Sequence, residues 1–198
     1  MALMDRVKKV LLQPKEEWPV IDAEPTSIGA LYTGYIMPLA AIGPIAQLVG
    51  FSVFGMRIPF TGVTYRVPIS NGIKTVVIEY VLGLIGPFVL ALIIDALAPT
   101  FSGQKNQIQA LKAAAYSSTA AWVAGIFGLI PALSILGILG LYSLFLLYLG
   151  LPIVMKAPQD KAMGYTVVVI ICAIVLYFLT GWIVARFAWQ PAMGVPGL

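Results

Sequence analysis

Histidine is absent from all 198 residues, which removes imidazole metal sites, histidine-based triads and the HExxH zinc motif together. Cysteine is nearly absent. The single Cys172 lies inside an apolar run, so no internal disulfide can form, and it reads as a small buried hydrophobe. Charge is also scarce, at 10% of residues against roughly 25% in an ordinary soluble domain. With 60% of residues apolar, the solvent for much of this chain is lipid. The first long apolar run begins near Leu31, behind an acidic and aromatic segment, so no cleavable signal peptide is expected. The net charge of +4 is dispersed over short segments, a pattern suited to anionic headgroups and not to nucleic acid.

The reading along the chain is an all-α integral membrane protein with five transmembrane helices and a short N-terminal amphipathic surface helix. Residues 1–13 put Leu3, Val7, Val10 and Leu11 on one helical face and Asp5, Arg6, Lys8 and Lys9 largely on the other, and Pro14 stops the pattern. Residues 1–30 form a cytoplasmic arm in which Trp18 suits headgroup depth. The membrane domain is 31–188 and a short tail 189–198 follows. Span one covers about 31–54, the length needed to cross a hydrocarbon core of ~30 Å. The loop 57–72 carries turn residues between strand-type residues, with a small hairpin expected about Thr61-Gly62.

Span two, 73–98, holds Glu79 and Asp95, whose spacing of sixteen residues is ~24 Å of helix and sets them near opposite interfaces. Between Lys112 and Lys156 lie 43 uncharged residues, ~65 Å as one helix and about twice what a bilayer needs. They are expected to fold back at Ile130-Pro131 as spans 113–130 and 132–155. Span five is 162–186, with Trp189 as a second interfacial anchor. Eight of the twelve Lys and Arg then fall on the N-terminal side of the membrane and four on the other, which places the N-terminus in the cytoplasm and the C-terminus outside. No internal repeat is evident, contrary to inverted-repeat transporters.

Several segments resemble the Yip family of membrane proteins, named for interaction with Ypt/Rab GTPases, and its bacterial branch in particular. They are residues 35–39 (YIMPL), 97–103 (LAPTFSG), 113–117 (AAAYS), Ile130-Pro131, 142–152 (YSLFLLYLGLP), 155–158 (MKAP) and 161–165 (KAMGY). The resemblance implies five spans, a cytosolic N-terminus and, for a bacterial member, the inner membrane. It also implies a trafficking role for members carrying an Asp-Leu-Tyr-Gly-Pro motif, which this sequence lacks.

The polar residues to explain are Glu79, Arg186, Asp95, Lys112, Lys156, Asp160 and Lys161. Glu79 and Arg186 can meet across the bundle as a structural pair. The others belong at the cytoplasmic loops, as headgroup anchors or as a docking surface. Ala120, Ala124 and Gly128 in span three, and Ala46 with Gly50 in span one, recur every fourth residue and allow close helix packing. Ser117, Ser118 and Thr119 suit bonds to helix carbonyls. No catalytic residue, metal site or cofactor is expected. The favoured reading is a noncatalytic membrane-organising or protein-interaction role, with membrane lipids and a membrane or peripheral protein as partners; the alternative is a small transporter or channel, for which midplane ionisable groups are expected.

Overall fold

The computed structural model describes residues 2–57 and 64–187. The ordered elements among the described residues are helical apart from one short strand pair. Helix α1 (Leu3–Leu12) ends where Pro14 begins α2 (Pro14–Ala23), because proline cannot continue a helix but suits the first position of the next. Helix α3 (Ile28–Phe54) opens on Ser27, whose Oγ accepts the Ala30 amide at 3.2 Å. Strands β1 (Met56–Arg57) and β2 (Thr64–Tyr65) pair antiparallel, Met56 opposite Tyr65. The expected hairpin tip at Thr61-Gly62, Trp189 and the tail 189–198 lie outside the described residues.

Helix α4 (Ile69–Leu97) runs on into a 3-10 turn, Ala98–Phe101. Asn106 caps α5 (Gln107–Ser117), its Oδ1 accepting the amides of Ile108 and Gln109 at 3.1 Å each. After a break at Ser118 come α6 (Thr119–Ala124) and a 3-10 turn, Gly125–Leu129. Ile130 is extended, as a residue before proline should be, and the chain reverses there into the 3-10 segment Pro131–Leu141, α7 (Tyr142–Val154) and finally α8 (Gln159–Phe187).

Among the described residues four helical stretches are long and apolar enough to cross a membrane: Ile28–Phe54, Gly72–Phe101, Pro131–Val154 and Gln159–Arg186. The expected span 113–130 is not among them. It begins inside α5, breaks at Ser118 and tightens after Ala124. The reason lies in its surroundings. Residues from Ala110 through Ser117 are all buried, with α4 and α7 packed on α5, so the first part of this segment faces protein, while Ile126, Leu129 and Ile130 beyond the break are exposed. Alanine there allows backbones to approach, and Ser117 and Ser118 both return their hydroxyls to the Ala114 carbonyl, at 3.1 and 2.7 Å.

Near the prolines of the spans, tyrosines of the facing helix donate their hydroxyls to backbone carbonyls. Pro87 interrupts the ladder of α4, and Tyr32 donates to the Leu84 carbonyl at 2.9 Å. Across the same interface Tyr80 donates to the Met37 carbonyl, next to Pro38, at 3.4 Å. Helix α3 and the turn after α6 cross almost backbone to backbone. A Cβ on Gly50 would stand 2.2 Å from the Gly128 carbonyl oxygen, and one on Gly125 would stand 2.7 Å from Gly43 Cα. Ala46, Ala120 and Ala124 are buried.

Glycine is therefore required at Gly50 and not at Gly86, where a Cβ would have nothing within 4 Å. Gly50→Ala is expected to destabilise by about 1–3 kcal/mol through overpacking, and Gly86→Ala to leave stability unchanged. Thermal unfolding of the two variants in detergent checks the difference.

Candidate functional site

The polar side chains gather where the N-terminal helices meet the bundle. These helices do not stand apart from it: Val7, Val10, Trp18 and Ile21 belong to the same apolar core as α5, α7 and α8. Three contacts in register show that α2 runs parallel to α7. Tyr142 donates to the Leu11 carbonyl at 3.1 Å, the Trp18 ring lies on Gly150, and Lys156 pairs with Asp22. The expected surface helix is thus a helix packed by its apolar face onto protein, and its Arg6, assigned to the polar face, is buried as well.

The free carbonyls at the end of α2 account for Lys112. A helix leaves its last four carbonyls without amide partners. The Lys112 ammonium donates to the carbonyls of Ile21 at 2.7 Å, Glu24 at 2.6 Å and Asp22 at 3.4 Å. All three of its protons are used, and a cation at a helix C-terminus is favoured by the helix dipole. Burial lowers the Lys112 pKa from its ordinary value, opposed by the nearby Asp22 and Glu24 carboxylates. One turn earlier, Gln109 donates to the Asp22 carbonyl at 3.0 Å and to its carboxylate at 3.3 Å.

A second cation closes the pair of helices on itself. Arg6 is ion-paired to Glu17 and to Glu24, with its guanidinium 5.7 Å from the Tyr116 ring centre. Arg6 and Glu17 are buried, whereas the Glu24 side chain is 44% exposed. Beneath them Tyr116 meets the Trp18 ring edge-on at 6.4 Å and Tyr35 at 4.6 Å. The Thr119 hydroxyl donates to the Tyr116 carbonyl at 2.6 Å, so the Tyr35 hydroxyl is the donor in its 2.7 Å bond to Thr119. Trp18 is fully buried with its Nε1 unpartnered, held there by ring packing alone. A Cβ at residue 150 would fall 2.2 Å from that ring, so Gly150 makes room for it.

The residues singled out from sequence divide sharply. Lys112 and Lys156 fasten the N-terminal helices, one from inside α5 and one from the turn after α7. Lys161 donates to the Ser102 hydroxyl at 2.8 Å, joining the two neighbouring loops, and the Gln104 amide donates to the Met155 carbonyl at 2.8 Å beside it. Asp160 is exposed. Asp95 has a buried Oδ1 without a hydrogen-bond partner. Glu79 is partly buried and Arg186 exposed, and no ion pair among the described residues joins them. Arg6, Glu17, Glu24, Gln109 and the Trp18–Gly150 contact were not singled out. The spacing of Gln109 and Lys112 at i and i+3 was the one available signal for two polar residues sharing a helix face.

Among the described residues no three His, Cys, Asp or Glu side chains are grouped so as to hold a metal ion. The family model of the Yip1 domain matches residues 8–183. No curated protein and no solved structure matches the chain.

Removing the Lys112 ammonium leaves buried carbonyls without partners, at about 1–3 kcal/mol for each group left unsatisfied. Lys112→Met is therefore expected to destabilise by about 3 kcal/mol and to make the first 24 residues protease-sensitive. Lys161→Met, at an exposed site, is expected to do neither. Melting in detergent and limited proteolysis of the two variants check this.

Proposed function

Since the chain belongs to the Yip1 family of membrane proteins, we propose that it is a noncatalytic integral membrane protein with a membrane-organising or protein-interaction role, presenting a docking surface at one end. The observation that carries this reading is how the charge is used. Lys112 and Lys156 are spent on fixing the N-terminal helices to the bundle, and Arg6 on holding those helices to each other. Lys8, Lys9, Lys15, Glu16, Lys105 and Asp160 stand exposed on those helices, the adjoining loop and the start of α8, without an ion pair among the described residues. A rigidly held platform with unspent charge suits recognition of a partner, because exposed charges steer association and select partners.

Five spans are part of this proposal. The Gln104 amide bonds the Met155 carbonyl, so the chain leaves and returns to the same end between them. One crossing by Pro131–Val154 needs a second in the opposite sense, and 113–130 is the segment that supplies it. The same contacts hold the N-terminal helices and the loops after α4 and α7 together at one end, the one rich in lysine, which supports a cytoplasmic N-terminus and an outer C-terminus. By resemblance the membrane is the bacterial inner membrane.

Single cysteines at Lys15 and Lys105, in a Cys172→Ala background, are expected to react with membrane-impermeant maleimide only in inverted vesicles, and one at Arg66 only in intact cells. Photo-cross-linkers at Lys15 and Lys105 are expected to capture the same reproducible protein, lost on reversing the charge of Lys8, Lys9 and Lys15. Labelling of position 105 from the outside removes the topology; capture of nothing from either position removes the docking role.

A further inference from the structure

The Arg6–Glu24 pair stands between two hollows of opposite character. On one side is a cleft of about 150 Å³ at the mouth of α3, bordered by Arg6, Glu24, Thr26, Gly34, Tyr35 and Tyr116. On the other is an open groove of about 550 Å³ whose walls are Pro19, Val20 and Ala23. The cleft is of the size that takes a benzene-sized guest in other proteins. Its position, beside the first two turns of a membrane-crossing helix, is that of lipid headgroups.

The charges of the pair differ in how firmly they are held. Glu17 is as buried as Arg6 and fixes one arm of the guanidinium. Glu24 is 44% exposed and holds the other. Glu24 is thus the exchangeable partner: if it turns away, Arg6 keeps one carboxylate and frees one arm for an anion, while Glu24 needs a cation. A phosphate alone would leave Glu24 unpaired beside a like charge, and an amine alone would leave the freed arm of Arg6 empty. A guest carrying both charges a few bonds apart satisfies both. The Tyr116 hydroxyl, which has no hydrogen-bond partner among the described residues, adds a donor at the cleft. Its ring face is already taken by Arg6, so the aromatic cage that a quaternary ammonium requires is not free.

We infer that this cleft binds the headgroup of a zwitterionic aminophospholipid, with phosphate on Arg6 and Tyr116, the primary ammonium on Glu24, and an acyl chain along the Pro19, Val20 and Ala23 groove. The inference concerns lipid and holds whether or not the exposed platform has a protein partner.

The test offers the purified full-length protein in mild detergent an equimolar mixture of phosphatidylethanolamine, phosphatidylglycerol and phosphatidylcholine with identical acyl chains, and reads bound lipid by native mass spectrometry. The expected result is one phosphatidylethanolamine retained about tenfold over either competitor, the scale of one charge-assisted hydrogen bond. Glu24→Gln and Tyr116→Phe are each expected to lower that retention about tenfold in protein that still folds. Equal retention of the three lipids, or of none, overturns the assignment, as does a folded Glu24→Gln protein with full selectivity. Equimolar glycerophosphoethanolamine, which lacks the chains, is expected not to displace the lipid; displacement would reassign the cleft to a soluble ligand and overturn the lipid. The lipid-class comparison uses the unsubstituted protein, so failure of a variant to fold leaves it decisive.

Discussion

A buried ammonium on the end of a short helix is the interaction on which the rest of this architecture depends. Helix α2 ends against the bundle, where the Ile21 carbonyl is buried and those of Asp22 and Glu24 partly so. Lys112 meets three of them at once from inside α5. The alternatives are a lysine buried without partners and a set of carbonyls buried without donors, and each alone is costly. Together they cancel, and the cancellation works in only one register. Once Asp22 and Glu24 are placed by it, Lys156 and Arg6 find their carboxylates, Trp18 comes to rest on Gly150, and Leu11 presents its carbonyl to Tyr142.

Side chains reach backbone carbonyls inside the bundle as well. Tyr32 and Tyr80 cross the α3–α4 interface in opposite directions, to the Leu84 and Met37 carbonyls. Tyr165 donates to the Ile94 carbonyl, which also accepts the Ala98 amide. In a medium without water each of these hydroxyls needs an acceptor that the protein must provide for itself. Because each acceptor lies on a neighbouring helix, the tyrosines of the spans also tie those helices together.

The apolar runs and their punctuation were legible in the sequence. Composition and length gave the helical membrane class, and Ile130-Pro131 marked the reversal. The stripes Ala46/Gly50 and Ala120/Ala124/Gly128 are where the structure brings α3 and the α6 turn close. What the sequence concealed was the docking of the first 24 residues. An amphipathic helix has the same periodicity whether its apolar face meets lipid or protein, so Val7 and Val10 looked like a surface helix. Gly150 within an apolar run gave no sign that an indole from 132 residues earlier fills its space. Lys112 looked like a loop lysine because charge at the edge of an apolar run usually marks an interface, and nothing in its neighbourhood encodes the distant carbonyls it serves. In the central segment hydropathy gave the apolar run but not its breaks: Ala113 to Ala115 are buried against protein, and the helix is interrupted at Ser118.

The sequence distance across these contacts has a consequence for biosynthesis. Leu11 meets Tyr142 from 131 residues away and Asp22 meets Lys156 from 134. Helices α1 and α2 therefore leave the ribosome long before their seats on α7 are made, and such non-local contacts form late. Until α7 is delivered to the bilayer, α1 and α2 must wait with Val7, Val10, Trp18 and Ile21 uncovered. The membrane surface is the nearest place for those apolar faces to rest. The closing step of this part of assembly is then the docking of α1 and α2, so a chain truncated before Tyr142 would leave the ribosome with both helices still unplaced.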